Sequence, residues 1–272
     1  MRKDNTLYVV IPCYKEEAVL PETARRLKEK MTALRESGMI SAASRVMFVN
    51  DGSKDQTWPI ICDLHAGDPL FSGVNLSRNR GHQNALLAGL LTAVNEADMI
   101  ISMDADLQDD INAMDGMLKA YHDGYDVVYG VRSSRKSDTF FKRFTAEGFY
   151  KLMKALGVDI VFNHADYRLM SRRVVEGLAE FKEVNLFLRG IVPQIGYKWT
   201  TVEYVRAEWF FALVAAQYDA AAEAWPGLSP SRALYRLNPD ASPATVRRWL
   251  SKARHMGLLA PAEWTRTKQQ GR

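Results

Sequence analysis

The sequence predicts an α/β fold: a mostly parallel sheet covered by helices on both faces, followed by a small helical segment. Three observations carry this. Short apolar runs alternate with amphipathic stretches of helical length from the N-terminus to about residue 131. Most of the runs are apolar throughout rather than at every second position, as strands buried on both faces require. Four of them end in polar segments, PCYKEE, NDGSKD, SRNRGH and DADLQDD. Ligands in open α/β sheets bind beyond the carboxyl ends of the strands, so these segments mark the expected binding edge.

The elements follow in order. LYVVIP (7–12) reads as a strand, and 17–37 as a helix with Leu20, Ala24, Leu27, Met31 and Leu34 on one face. RVMFVN (45–50) is a strand and 56–66 a helix, with Asp55 placed to cap it. SGVNLS (72–77) is a strand, followed by a helix at about 82–96. MIISMD (99–104) is a strand and 111–123 a helix, with Asp109 and Asp110 expected at its cap. YDVVYGV (125–131) is the fifth strand. Residues 139–156 are amphipathic, with Phe140, Phe144, Phe149, Leu152 and Met153 against Lys142, Arg143, Lys151 and Lys154. That pattern fits a packed surface helix or a helix lying on a membrane surface. HADYRLMS (164–171) reads as a short strand, 171–181 and 185–195 as helical, and YKWTTVEYVR (197–206) as a further strand.

After Arg206 the character changes, which divides the chain into 1–206 and 207–272. FFALVAAQYDAAAEAW is an Ala-rich helix. LSPSRALYRLN starts another, with Ser229 as N-cap and Pro230 at the first helical position. ASPATVRRWLSKARHMGLL repeats the device with Ser242 and Pro243, and Gly257 stops it.

Composition sets bounds. Apolar residues make up 47% and charged residues 25%, an ordinary globular balance with ample chain for a core. The formal net charge is +4, and residues 207–272, with nine Lys/Arg against five Asp/Glu, carry all of it. No apolar run approaches the roughly 20 residues that span a bilayer. The N-terminus lacks a small-residue cleavage site, so it does not read as a secretory signal. Cys13 and Cys62 form no CxxC or Cys/His cluster, which excludes a disulfide framework and a thiolate metal site and suits a reduced, intracellular protein.

Two segments carry chemistry on their own. Asp104-Ala105-Asp106 sets two carboxylates where a strand breaks into a loop, with Gln108 as a neutral oxygen nearby. Oxygen-rich sets suit hard cations such as Mg²⁺ or Mn²⁺, although such acids also cap helices or face solvent. Arg80-Gly81-His82 precedes a helix, where backbone N–H groups can face anionic oxygens.

Together VVIPCYKEEAVL, VNDGSKDQTW, LSRNRGHQNALLAG and MDADLQDD, in that order and each at a strand end, resemble the nucleotide-sugar domain of family-2 glycosyltransferases. YDVVYGVRSSRKSDTFFKRFTAEGFYKLM and NHADYRLMS extend the likeness to the polyprenyl-phosphate glycosyltransferases, the group of bactoprenol glucosyltransferase and dolichyl-phosphate mannose synthase. The resemblance covers about residues 5–206. It implies a GT-A nucleotide-sugar-binding fold and transfer of a hexose from a UDP- or GDP-sugar, UDP-glucose being favoured. The implied acceptor is a polyprenyl phosphate, undecaprenyl phosphate being favoured, at the cytoplasmic face of the membrane. It also implies roles. Pro12, Tyr14, Glu16 and Asp51 hold the nucleotide base, Gly81, His82 and Ala105 touch the donor, and Asp104, Asp106 and Gln108 bind Mg²⁺ or Mn²⁺. Arg132, Arg143 and Arg168 are the candidates for the acceptor phosphate, and Asp166 orients Arg168 or meets the sugar; Arg132 and Asp166 join the two metal-binding acids as catalytic candidates.

The likeness stops at about residue 208, where the family continues with an Arg/Gly-containing loop and commonly two transmembrane helices. The tail weakly resembles helix-turn-helix segments of bacterial and phage DNA-binding proteins. Three readings stay open for it: a foreign segment on a truncated transferase, an accessory module for a partner or nucleic acid, or a divergent interfacial anchor. A transferase with another acceptor, and an inactive remnant with a DNA- or partner-binding tail, stand as the alternative functions.

Overall fold

The computed structural model describes residues 5–106, 109–132, 164–181 and 187–204, and in the C-terminal part 218–219, 223, 228–237, 246–247, 250–251, 253–254 and 259. The chain divides into two compact units, Met1–Ala207 and Glu208–Arg272.

The first unit is built on a seven-stranded sheet. Its strands are β1 (Leu7–Cys13), β2 (Arg45–Asn50), β3 (Phe71–Asn75), β4 (Met99–Ser102), β5 (Val127–Arg132), β6 (His164–Ser171) and β7 (Trp199–Tyr204), in the spatial order β3-β2-β1-β4-β6-β5-β7. Between them run α1 (Leu20–Glu36), α2 (Thr57–Gly67), α3 (His82–Ala93), α4 (Ala113–His122), α5 (Arg172–Leu178) and α6 (Leu188–Gln194). All seven residues of β1 are buried, because it lies mid-sheet between parallel β2 and β4. The predicted stripe of α1 is its buried face, joined by Thr23. Val10, Val49, Leu86, Leu90, Ile100, Met170 and Val174 belong to one continuous apolar core.

Two features of the topology place the site. The chain leaves β1 toward β2 on one side and returns from β3 through α3 to β4 on the other. The carboxyl ends of β1 and β4 therefore flank a switch point, where a crevice forms in sheets of this kind. The second feature is that β6 runs antiparallel between β4 and β5, pairing Ser102 with Arg168 and Val128 with Leu169. This reversal brings the first residues of β6, Asp166 among them, to the edge where β4 ends. Ser102 Oγ donates to the Asp166 carbonyl at 2.5 Å and fixes that juxtaposition.

The predicted α/β sheet and the order of its elements are present. Asp55 Oδ1 accepts from Thr57 N (3.2 Å) and Thr57 Oγ1 (2.7 Å), so it holds the start of α2 as expected. The two acids expected to cap α4 separate. Asp110 Oδ1 accepts from Asn112 N at 2.9 Å and supports the helix entry. Asp109 does not cap: it is buried and accepts from the Tyr204 hydroxyl at 2.5 Å, tying the acidic loop to the end of β7. The amphipathic segment 139–156 lies outside the described residues.

In the second unit α7 (Pro230–Leu237) begins at the predicted proline. Leu234, Val246, Leu250, Ala253 and Leu259 are buried there, and the Arg254 guanidinium lies 5.6 Å from the Tyr218 ring centroid. Ser242, Pro243 and Gly257 lie outside the described residues. Among the described residues no helix is long and apolar enough to cross a membrane.

Candidate active site

A cleft of about 270 Å³ opens at the switch point, lined by Pro12, Cys13, Tyr14, Glu16, Asp51, Asn79, Gly81, His82, Ala85, Asp104, Ala105 and Asp106. Four polar segments that are far apart in sequence supply this lining, because each follows a strand whose carboxyl end points the same way.

The segments after β1 and β2 are laced together by backbone donors. Lys15 N donates to Ser53 Oγ (3.0 Å), Glu16 N to Thr57 Oγ1 (2.9 Å), and Gln56 N to Glu17 Oε2 (3.0 Å). Lys15 turns through a positive φ of 59° to make this connection. The Tyr14 side chain remains 42% exposed and is available to a ligand.

Asp51 organises the third segment. It is buried, and its two carboxylate oxygens accept from Arg80 N at 2.6 Å and Gly81 N at 3.0 Å. The N–H groups of Arg80 and Gly81 were expected to face ligand oxygens; the anion they face is Asp51. A charged acceptor near a helix start takes these donors readily. Gly81 thus lines the cleft while its N–H holds the wall together.

The acidic segment forms the opposite wall. Ala105 is buried, and its carbonyl lies 2.8 Å from Thr23 Oγ1 of α1, which anchors the loop between Asp104 and Asp106. Burial pushes the Asp104 carboxyl up to about 6; His82 pulls against that, while Asp109, Asp106 and Asp166 add to it. Gln108 lies outside the described residues, and among the described residues no three His, Cys, Asp or Glu side chains converge as a metal centre. Asp104 and Asp106 share the cleft wall.

Beside that wall is a mixed-charge cluster around Asp166. Arg168 Nη2 donates to Asp166 Oδ1 at 2.6 Å, and Arg189 of α6 grips both oxygens, Nε to Oδ1 at 3.1 Å and Nη2 to Oδ2 at 2.9 Å. His82 Nε2 stands 3.6 Å from Asp166 Oδ2 and 3.8 Å from Asp104 Oδ1, so the imidazole bridges the cluster and the acidic wall. Its closeness to Asp166 holds His82 above the ordinary imidazole range. Burial pushes the Asp166 carboxyl up, but His82, Arg189 and Arg168 outweigh it and hold it well below the usual carboxylate range.

Arg168 does not serve as predicted. It is 1% exposed, its Nη2 is committed to Asp166, and Nη1 lies 3.4 Å from the Leu188 carbonyl. Its Nε is buried without a hydrogen-bond partner among the described residues, so the guanidinium is turned into the protein beside Asp166 and away from solvent. Arg132 ends β5, with its side chain outside the described set, and Arg143 lies outside the described residues altogether. Sequence reasoning missed Arg189, Thr23 and Asn79. The polar segment SRNRGH pointed toward Asn79, whereas Arg189 sits in NLFLRG with no acid beside it.

The model of the family described as glycosyl transferase family 2 matches residues 8–178. The uncharacterised glycosyltransferase YkoT of Bacillus subtilis is 51% identical over 204 residues, 75% of this chain and 60% of that protein. The prophage bactoprenol glucosyl transferase homologue of Escherichia coli is 41% identical over 204 residues, 74% of this chain and 63% of its own length. The chain thus spans under two thirds of the length of the curated relatives it matches. Among solved structures, the mannosyltransferase PcManGT of Pyrobaculum calidifontis, in complex with GDP-Man and Mn²⁺, aligns over 95% of this chain and 82% of its own at TM-score 0.47 and 16% identity.

Proposed function

The chain belongs to glycosyl transferase family 2, and on that premise we propose that it transfers a hexose from a nucleotide sugar to a polyprenyl phosphate, releasing the nucleoside diphosphate. The likeness to bactoprenol glucosyl transferases favours UDP-glucose as donor and undecaprenyl phosphate as acceptor. The reaction belongs at the cytoplasmic surface of the membrane, where such a lipid presents its phosphate.

The observation that carries the choice of acceptor is the likeness to bactoprenol glucosyl transferases, and the state of Asp166 agrees with it. A sugar or alcohol hydroxyl must lose a proton as it attacks, and it needs a base to take it. Asp166 is shared by two guanidiniums and held far below the range in which a carboxylate accepts protons near neutrality. A phosphate monoester arrives already anionic and needs positioning, not deprotonation.

The donor's base lies against Tyr14, with Asp51 and Glu16 accepting from ring N–H groups. Asp51 is pre-oriented for this by the two backbone donors that pin it. Asp104 and Asp106 suit a divalent cation: their oxygens are hard donors, and the upward push on Asp104 comes first from its burial and then from the neighbouring acids Asp109, Asp106 and Asp166, a cost that a cation would offset. Asp104 and Asp106, with Gln108 as the sequence pattern implies, would hold Mg²⁺ or Mn²⁺, and the ion would supply charge stabilisation for the leaving nucleoside diphosphate. Thr23 keeps the loop between the two acids in place, and His82 spans from donor side to acceptor side.

Calorimetric titration of UDP-glucose tests the donor half. Binding is expected with Mn²⁺ and is expected to vanish with EDTA or in Asp104→Ala/Asp106→Ala. Equal binding in all three conditions, or none to the native protein with any of UDP-glucose, GDP-mannose and UDP-GlcNAc, overturns it.

A further inference from the structure

The second unit, Glu208–Arg272, lies beyond the family match, which ends at residue 178. It stands apart in charge. Between Leu228 and Leu259 lie six Lys/Arg (Arg232, Arg236, Arg247, Arg248, Lys252 and Arg254) against one acid, Asp240. A unit this small cannot bury such an excess, because unpaired charges resist desolvation. It buries apolar residues instead. Leu234 of α7 is fully buried, as are Val246, Leu250 and Ala253, and the described residues between 246 and 254 are helical. Val246, Leu250 and Ala253 recur at i, i+4 and i+7, which is one face of a helix.

The outward residues are basic. On α7, Arg232 and Arg236 stand one helical turn apart, opposite buried Leu234, and both are exposed; Tyr235 beside them is 38% exposed. In the next helical stretch Arg247 is exposed next to buried Val246. Among the described residues none of these three guanidiniums makes a hydrogen bond or ion pair; the bond at Arg232 comes from its backbone N–H, to the Ser229 carbonyl. Arg254 differs. Its guanidinium lies over the Tyr218 ring and 3.4 Å from the Tyr218 hydroxyl, so it serves the packing of the unit itself.

Three uncommitted guanidiniums on two consecutive helical stretches suit a polymer that repeats its phosphates. The helical framework narrows the choice. A helix about 10–12 Å across fits the major groove of duplex DNA, about 12 Å wide, whereas that of duplex RNA is too narrow for side chains to read. Single strands are gripped by successive aromatic rings, and Tyr235 is the one exposed aromatic residue among those described in this unit. A membrane surface asks for an exposed apolar face beside the charges, whereas Leu234, Val246, Leu250, Ala253 and Leu259 are buried. We propose that the second unit binds the phosphate backbone of duplex DNA, with Arg232, Arg236 and Arg247 as the contacting cations and the Tyr235 hydroxyl as a further donor. Contacts of this kind position a protein on the duplex and read no sequence. The proposal is independent of the transferase reading, and either can fail alone.

The test is fluorescence anisotropy of the full chain with a labelled DNA duplex of arbitrary sequence and about two helical turns, at about 50 to 200 mM salt. For the native chain, log affinity against log salt is expected to fall with a slope of about −2.7 or steeper, three phosphates at about 0.9 each. Arg236→Gln/Arg247→Gln is expected to flatten that slope by about 1.8 and to weaken binding by about tenfold or more at the lower salt. Arg236→Lys/Arg247→Lys is expected to keep the slope and most of the affinity, because lysine also neutralises a phosphate. That rescue separates lost contacts from a damaged unit. No anisotropy change with the native chain at the lowest salt overturns the proposal. An unchanged slope in the glutamine pair, or equal losses in the glutamine and lysine pairs, does the same. Equal affinity for a single strand or an RNA duplex of the same length refutes the choice of duplex DNA. Tighter retention on vesicles of phosphatidylglycerol and phosphatidylcholine, lost in the same glutamine pair, overturns it in favour of a membrane contact. Duplex binding by a chain that binds no sugar nucleotide supports this proposal while refuting the donor site.

Discussion

Replacing Gly52 with alanine probes the contact on which the donor wall is built. Gly52 sits at φ +64° in the turn after β2, and an added Cβ would meet the Arg78 carbonyl carbon and lie 2.5 Å from Asn79 N. Both neighbours are backbone, so no side chain can swing away; the 78–81 segment must move by about 1 Å to restore ordinary contact. That movement strains the bonds from Arg80 N and Gly81 N to Asp51, now 2.6 and 3.0 Å. Hydrogen bonds to a charged group are worth about 1.5–3 kcal/mol each. The left-handed conformation costs a non-glycine residue about 1–2 kcal/mol more. The expected destabilisation is therefore about 4 kcal/mol or greater, a large share of the ~5–15 kcal/mol that holds a typical domain folded. Gly38 supplies the control: its φ is +72°, but an added Cβ meets nothing within 4 Å. Gly38→Ala should lose only the dihedral cost of about 1–2 kcal/mol. Urea unfolding of both variants measures the difference, and UDP-glucose titration should show lost affinity in Gly52→Ala alone. If the two variants unfold within about 0.5 kcal/mol of each other, the close approach is not what shapes this wall.

Three further outcomes are expected. Tyr204→Phe removes the hydroxyl on Asp109 but keeps the ring, which packs edge-on against Tyr167 at 5.3 Å; urea unfolding should show a loss of about 1.5–3 kcal/mol, and no loss would deny the bond its role. Glu22 is lowered from 4.5 to about 2, first by the hydrogen bond from Arg25 and, with Arg26, against the effect of burial. Its folded value lies below its unfolded one, so its stabilisation is complete above about 4.5 and drains as pH falls toward 2. The urea midpoint should fall less steeply across that window in Glu22→Gln, and identical slopes would contradict the pairing. A thiol reagent should label exposed Cys62 in the native protein and buried Cys13, whose thiol burial pushes up, only on unfolding; immediate double labelling would contradict the packing of β1.

Much of the fold was legible because strands buried on both faces read as apolar runs and end abruptly in polar ones. RVMFVN was placed to the residue, LYVVIP began at the right residue and runs one further, to Cys13, and MIISMD began at the right residue but ends two earlier, at Ser102. Strand direction was not legible. HADYRLMS reads the same in either orientation, and only the sheet shows that β6 is reversed and that Asp166 reaches the cleft edge by that reversal. The cleft lining from Pro12 to Asp106 came from strand-end segments, which a local reading finds. Pairings across distance escaped it. Asp109 resembles a helix cap until Tyr204, 95 residues away, claims it. Arg168 resembles an exposed phosphate ligand until the sheet buries it against a carboxylate two positions away, and Arg189 gains its meaning from Asp166, 23 residues distant.

Passage of a hexose to a lipid phosphate is the reaction proposed for this chain. The direct measurement is mass spectrometry of the lipid fraction after incubating the chain with UDP-glucose, Mn²⁺ and undecaprenyl phosphate. A lipid heavier than undecaprenyl phosphate by one hexose residue, formed only with the divalent ion and absent in Asp106→Ala, is the expected result. UDP and free glucose without any glycosylated lipid, from a protein shown to bind the donor, would contradict it.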